Sequence, residues 1–557
     1  MERNQTIAIV VIIVIVAGAA VGYYLFVAPP AGPTEEVILM GTTDSVEYTL
    51  DIAQSWDYFG WEIIGSVSSG LVDITPGSEG ANEDIFGALA ASWTASAGAT
   101  IWDFTLREGV LFEDGREFNS SDVVYTFERN CNLTGDGLWR SDSPQRGIGY
   151  AGEGGIIDNV TATGEFTVRF ELNYAFAPFL QLMSATSSFI VDRANSLKDN
   201  ITEYHPGDPR GSYTGALGPY LLDEWDRTAG TDNKFVLVKN PDYWNVANEP
   251  KTDKIIIQRY ASDTALTAAI KAGDIDIAYR QMSALQIEDL RDDPNVRLWE
   301  GVGAQIQYMI FQQAIYPYNE TPVRQALTAA LNRSAVCSTV FLDQFVPLYS
   351  MIPNGMAYHK PTFEIYGEAN YTFTQTTLAA YGYNSTNKLQ VELWYESEGH
   401  YPQSAEQALV YEDSFEASGV IDVELFSADW STYKQNRDDH IMQVYIYGWY
   451  PDYVDPDNYI FLGFAEWLQM GYDETTGTGV IQADYLKLGR NSTDSATREL
   501  AYETLQDMQA VECAVVPLWQ SSTYAASLPT VHGIVLDITL VWRHWLLYLG
   551  EAATTGP

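Results

Sequence analysis

FTLREGVLFEDGREFNSSDVVYTFER, residues 104–129, is the stretch whose reading decides the fold. Asp114-Gly115 can form a tight turn in which Gly supplies a positive φ. Ser121 and Asp122 can cap a helix that starts at Val123. Outward from this stretch, strand and helix signals alternate. Residues 235–239 (FVLVK) and 255–258 (IIIQ) read as strands, with Asn240-Pro241-Asp242 a turn before buried Tyr243 and Trp244. Residues 264–271 read as a helix stopped by Gly273, followed by a short strand at 275–278. Pro322 opens another helix, at a position where its missing N–H costs nothing, with Thr321 as cap. Residues 403–418 read as a helix ending at Gly419, and 421–426 as a strand. Residues 496–511 read as a helix running into VVPLW, 515–519. Helices alternating with strands indicate α/β lobes. The chain has no repeat of 20–50 residues, which argues against a solenoid or propeller.

The chain divides into two unequal parts. Residues 7–28 are an unbroken apolar run, IAIVVIIVIVAGAAVGYYLFVA. At ~1.5 Å per helical residue it spans roughly 33 Å, enough for a bilayer core of about 30 Å. A cleavable signal peptide is the rival reading, but such cores run to about 7–15 residues and end at small residues. This run ends in Tyr23, Tyr24, Leu25 and Phe26 with no Cys nearby. Residues 1–28 are therefore expected to be a transmembrane anchor, and the Pro-rich 29–36 a linker. Arg3 is the only basic residue before the run and Arg107 the next after it, so the body is expected on the extracellular face of a single-pass cell-membrane protein.

The chain is acidic, with 74 Asp and Glu against 30 Lys and Arg and a formal net charge of -44. Nucleic-acid binding needs a basic footprint and is excluded on this balance. The charge reads either as a solvated acidic surface or as attraction for cationic ligands. A body of roughly 500 residues exceeds the size at which a single core stops growing, so two or three lobes are expected. Nine N-x-[ST] sequons start at Asn119, Asn132, Asn159, Asn200, Asn319, Asn332, Asn370, Asn384 and Asn491. That density suggests a glycoprotein of a cell surface, archaeal or eukaryotic rather than typically bacterial. Cys131, Cys337 and Cys513 lie far apart, which leaves open one disulfide with a lone thiol or three buried thiols.

Six stretches in order resemble the extracytoplasmic solute-binding proteins of oligopeptide and dipeptide ABC importers, the family 5 substrate-binding proteins. They are residues 104–129; GPYLLDEW from Gly218 with LVKNPDYWN from Leu237; AAIKAGDIDIA from Ala268; PVRQALTAALNRSAV from Pro322; YGWYPDYVDPDNYIF from Tyr447; and VVPLW from Val515. The resemblance implies an α/β, two-lobed periplasmic-binding-protein fold (type II, Venus-flytrap) with an extra subdomain. Lobe I is expected from 37–74, 207–300 and 506–557, the extra subdomain from 75–206 and lobe II from 301–505. The chain is expected to cross between lobes near 206, 300 and 505. The implied partners are a peptide ligand held between the lobes and an ABC permease.

In peptide-binding relatives, the first Asp of a loop like GWYPDYVDP, 448–456, pairs with the ligand's α-amino group, and that position matches Asp452. A carboxylate facing an ammonium in a water-poor cleft makes a strong charge-assisted bond. The alternative is that Asp452 or Asp455 only braces the loop, and Asp455 precedes a Pro that favours a turn. Some relatives carry an Arg just upstream that can meet a peptide carboxylate; here Ile446 stands there. Trp394, Trp430, Tyr447, Trp449, Tyr450 and Tyr453 are further candidate ligand contacts. The aromatic faces of Trp394, Tyr395, Trp430, Tyr447, Trp449 and Tyr450 also suit an oligosaccharide, a ligand bound by similar proteins of the family, or plain core packing. A glycosylated surface protein with no transport role is a third reading. No catalytic residue, metal site or cofactor is expected: H-E-x-x-H and Gly-Lys pairs are absent, and the six histidines, at 205, 359, 400, 440, 532 and 544, form no spaced pair.

Overall fold

The computed structural model describes residues 35–552 except 47–48, 54, 56, 97, 133–155, 201–216, 229–230, 281, 398–399, 465–467, 469 and 472–477. Eleven strands form one sheet: β1 (Val37–Thr42), β2 (Tyr220–Thr228), β3 (Thr231–Lys239), β4 (Lys254–Arg259), β5 (Ile277–Tyr279), β6 (Arg297–Phe311), β7 (Val346–Pro347), β8 (Leu389–Glu396), β9 (Ile421–Ala428), β10 (Val444–Trp449) and β11 (Val515–Ser527). Their order is β9-β8-β10-β6-β11-β5-β1-β4-β3-β2, with β7 paired to β11.

That order describes two half-sheets joined by two long strands. Residues 297–302 of β6 pair with 522–527 of β11 beside β5, while 306–310 pair with 515–520 beside β10. The register slips between Val302 and Ile306, so the ladder breaks where the chain passes from lobe I to lobe II. Glycine is required at this break. A Cβ on Gly301 would lie 2.4 Å from the Leu536 Cβ, and one on Gly303 2.4 Å from the Ser521 carbonyl oxygen. The result is the two-lobed α/β periplasmic-binding-protein architecture.

Each lobe has its own core. Ile38 and Met40 of β1, Phe235 and Leu237 of β3 and Ile255 and Ile257 of β4 pack in lobe I against Phe59, Ile63 and Ile64 of helix α1 (Tyr58–Val67). Met309 and Phe311 of β6, Leu393, Val444 and Val516 pack in lobe II against Val323 and Leu327. Burying one such side chain contributes about 1.5–3 kcal/mol. A separate antiparallel sheet joins residues 90–95, 101–106, 167–172 and 157–164 in that spatial order.

Local expectations hold with shifted ends. Gly115 and Gly273 take φ of 80° and 73°, and the latter caps the helix Asp263–Ala272. Residues 404–416 and 495–512 are helical. Two caps differ from expectation. The helix Ser120–Asn132 begins three residues before Val123, because Asn119 accepts from the Ser121 N–H while Asp122 turns back to accept from the Asn119 N–H. Thr321 is the first helical residue rather than the cap; Glu320 precedes it without a side-chain bond, and the Thr321 hydroxyl instead accepts from Arg324.

Among the described residues no helix is long and apolar enough to cross a membrane. The expected anchor, 1–28, lies outside them, as do most of the linker 29–36 and the crossing near 206. Cys337 and Cys513 are buried free thiols, pushed by burial up to about 12 and about 11.

Candidate functional site

The loop after β10 is fixed from behind by three side chains. Asn458 accepts from the Asp452 N–H and from the Trp449 indole, each at 3.0 Å, and its amide donates to the Asp452 carboxylate at 3.2 Å. Asp455 accepts from the Asp457 N–H and receives Arg498 on both oxygens at 2.7 Å. Asp457 accepts from Arg490 at 2.7 Å and from the Tyr453 hydroxyl at 2.9 Å. Residues 453–458 are thus anchored in lobe II, and residues 450–452 project toward lobe I.

They face a cavity of about 890 Å³ between the lobes. Lobe I lines it with Asp44, Asp57, Tyr58, Arg280 and residues 535–537 and 540–542. Lobe II contributes Phe341, Phe345, His400 and 450–452, and the crossing strands add Gln305 and 521–524. The lobes touch at its edge, where the Tyr58 hydroxyl donates to the Pro451 carbonyl at 2.7 Å and the Tyr58 and Tyr450 rings lie 5.6 Å apart.

Asp452 is half-buried and lines the cavity. Burial pushes its carboxyl up from 3.8 to about 7, against the opposing Asn458 hydrogen bond. Among the described residues no basic side chain forms an ion pair with it. On the facing wall, Arg280 sits at φ 60°, a backbone position that costs a non-glycine residue strain. Its guanidinium bonds Glu62 at 2.9 Å and lies 4.0 Å from Asp44. Glu62 is fully buried and also accepts from the Tyr279 hydroxyl at 2.6 Å. Burial works against its charge, yet Arg280, His544 and Tyr279 together hold its carboxyl below the ordinary value. Burial raises the Asp44 carboxyl in spite of Arg280.

Of the residues singled out in the sequence, Asp452 and Tyr450 line this cavity. Tyr453 is buried behind them and borders, with Asp452, a separate cavity of about 70 Å³. Trp449 supports the loop, edge-on to Phe461 at 5.7 Å. Tyr447 is buried against Tyr433, ring centroids 5.4 Å apart. Trp430 stacks at 3.8 Å on His400, one layer behind the wall. Trp394 stacks on Phe426 at 4.9 Å. Ile446 is a buried strand residue. Asp44, Tyr58, Arg280 and Gln305 went unread in the sequence. They come from separate segments that only the tertiary fold brings to one cavity. Asp57 alone had a local signal, as the N-cap that accepts from Gly60 at the start of α1.

Among the sequons, Asn159, Asn200, Asn319, Asn370, Asn384 and Asn491 are exposed. Asn119 and Asn332 are half-buried at helix starts, and the side chain of Asn132 lies outside the described residues. Among the described residues no group of three or more His, Cys, Asp or Glu could hold a metal ion.

Residues 84–467 match the family described as bacterial extracellular solute-binding proteins, family 5 Middle. The chain is 24% identical over 519 residues to the probable D,D-dipeptide-binding periplasmic protein of Escherichia coli strain K12, covering 92% of this chain and 93% of that one. The fold is similar to that of HbpA2 from Haemophilus parasuis, with a TM-score of 0.76, 19% identity and coverage of 92% of this chain and 100% of that one. It is also similar to a periplasmic binding protein from Helicobacter pylori in complex with the peptide STSA, with a TM-score of 0.68, 21% identity and coverage of 92% and 98%.

Proposed function

Because the chain belongs to the family 5 bacterial extracellular solute-binding proteins, we propose that it captures short peptides between its lobes by their free α-amine and delivers them to an ABC permease. The observation that carries this reading is Asp452, a carboxylate on the wall of the interlobe cavity with no cation of its own among the described residues. A ligand ammonium supplies that missing charge, and a charge-assisted bond is strongest where bulk water is excluded. Tyr450 lies beside it as a ligand contact. Relatives named as dipeptide-binding and di/tripeptide-binding proteins support the substrate class. The proposal includes residues 1–28 as a single-pass anchor that holds the body outside the cell, glycans on the exposed sequons, and an archaeal source. It also includes the division into lobe I (37–74, 207–300), subdomain (75–206) and lobe II (301–505), with the return to lobe I expected at 506 shifted into β11, whose residues 515–520 still pair on the lobe II side. Among the sugar-platform candidates only Tyr450 lines the cavity, and a neutral oligosaccharide would leave Asp452 uncompensated.

Thermal unfolding of the full chain tests this against tripeptides with free N-termini, the same peptides N-acetylated, and mixed oligosaccharides. A ligand at 100 times its Kd adds about 2.7 kcal/mol. The expected result is a rise in Tm with free peptides and none with the acetylated set. Equal shifts for both peptide sets, or a shift with sugars alone, would overturn the α-amine reading.

A further inference from the structure

The cavity wall is unevenly charged. Asp44, Asp57, Asp452 and Asp537 line it, and Arg280 is its one guanidinium among the described residues. Asp537 is compensated within its own loop: it accepts from the Gly77 and Thr539 N–H groups and has Arg543 at 4.0 Å. Asp44 is not. Its nearest guanidinium, Arg280, lies at 4.0 Å and already bonds the fully buried Glu62 at 2.9 Å. Arg280 is therefore divided between two carboxylates on lobe I. Glu62 also has His544 at 3.4 Å, whereas Asp44 is drawn on besides only by Arg259, and Asp452 on lobe II forms no ion pair among the described residues.

These two undercompensated carboxylates belong to opposite lobes but meet one seam. Tyr58 and Tyr450 pack together there, Asp452 acts electrostatically on the Tyr58 hydroxyl, and Asp44 does so on that of Tyr450. A second observation points to an occupant. Gln305 sits in the register break between Val302 and Ile306, lines the cavity, and is only 4% exposed. Among the described residues its side-chain amide has no hydrogen-bond partner, and it opens to the cavity. A peptide backbone offers such an amide both a donor and an acceptor.

We propose that this cavity selects a ligand with two separated positive charges, one met by Asp452 on lobe II and the other by Asp44 on lobe I, with Gln305 bonding the polar backbone between them. The inference rests on the peptide-binding reading and narrows it. The preferred peptide carries a basic side chain next to its free N-terminus. An acidic side chain there meets two carboxylates of its own sign and is rejected.

Isothermal titration of the full chain at pH 8 with Lys-Ala-Ala, Ala-Ala-Ala, Glu-Ala-Ala and the diamine cadaverine tests this. Lys-Ala-Ala is expected to bind on the order of tenfold or more tighter than Ala-Ala-Ala, with Glu-Ala-Ala weakest. Asp44→Asn is expected to reduce the Lys-to-Ala ratio to about threefold or less, since one opposite charge is lost and the shape is kept. A ratio near one in the natural chain, or a ratio that survives Asp44→Asn, overturns the inference while leaving peptide binding intact. Should no peptide bind and cadaverine bind in a manner weakened by Asp44→Asn, the two-charge inference stands and the peptide reading falls. Should neither bind, both fall.

Discussion

Asp452 and the pair Asp455 and Asp457 lie within six residues of one another and face opposite fates. Asp455 and Arg498 are each about 1% exposed and locked together at 2.7 Å, and Asp457 is held in the same way by Arg490. Asp452 has an amide for a partner and a cavity before it. One loop thus separates two carboxylates paired within the fold from one that opens to the cavity. What tells them apart is whether the protein itself supplies the opposite charge.

The comparison can be broken most severely on its structural side. Replacing Arg498 by Met leaves Asp455 buried without its cation, and the loss of one partner of such a pair costs about 3–5 kcal/mol. Urea unfolding should show a marked fall in midpoint for Arg498→Met. An unchanged midpoint would mean that Asp455 does not anchor the loop.

The converse substitution, Asp452→Ala, is expected to weaken binding of amine-bearing peptides by tenfold or more, because lost buried charge pairs cost about 2–5 kcal/mol. Its stability at pH 4, where the carboxyl is neutral in the folded chain, should change little, and that contrast with Arg498→Met sharpens the distinction. Titration calorimetry giving equal affinity for Asp452→Ala and the natural chain would remove Asp452 from the site.

A pH series tests the same carboxylate more finely. In the folded chain burial pushes the Asp452 carboxyl up to about 7 from its ordinary 3.8. An ammonium ligand needs the charged form, so affinity should fall as pH drops below about 7, by at most roughly tenfold per unit. For stability the sign reverses. A raised folded-state value favours folding in acid, and that contribution is lost as pH rises through about 7. Asp452→Asn should therefore unfold at a higher temperature than the natural chain at pH 8 and at nearly the same temperature at pH 4. A gap that is the same at both pH values would contradict this account.

The smallest effect is expected at the seam. Tyr58→Phe removes one hydrogen bond between the lobes, the one to the Pro451 carbonyl, worth about 0.5–1.5 kcal/mol. Peptide affinity should fall by a few-fold, with the preference for a free amine retained. Loss of that preference would place Tyr58, rather than Asp452, at the amine.

The aromatic residues show where reading from sequence stops. Trp449 and Tyr450 are neighbours of similar chemistry, yet the indole braces Asn458 while the phenol ring faces the other lobe. Neither periodicity nor composition separates them, because the chain leaves its strand at Trp449 and side-chain direction then depends on loop geometry. A crossing was expected near 300, but the long strand that makes it was hidden for a related reason. Residues 297–311 contain two glycines and pass from one core to another, so no single alternation of apolar residues runs through them.

By itself the sequence determined what depends on neighbours along the chain. The Asp-Gly turn at 114–115, the glycine stop at 273, the alternation of helices and strands, and the ordered motifs that identify the family are all local, and Asp452 could be nominated from its loop. Tertiary structure alone decided which acidic residues are paired. Arg490 and Arg498 stand 33 and 43 residues beyond the carboxylates they hold. Asp44, Tyr58 and Arg280 reach the cavity from the other lobe. Charge compensation is set by distance in space, and only the fold determines which charges come close enough to cancel.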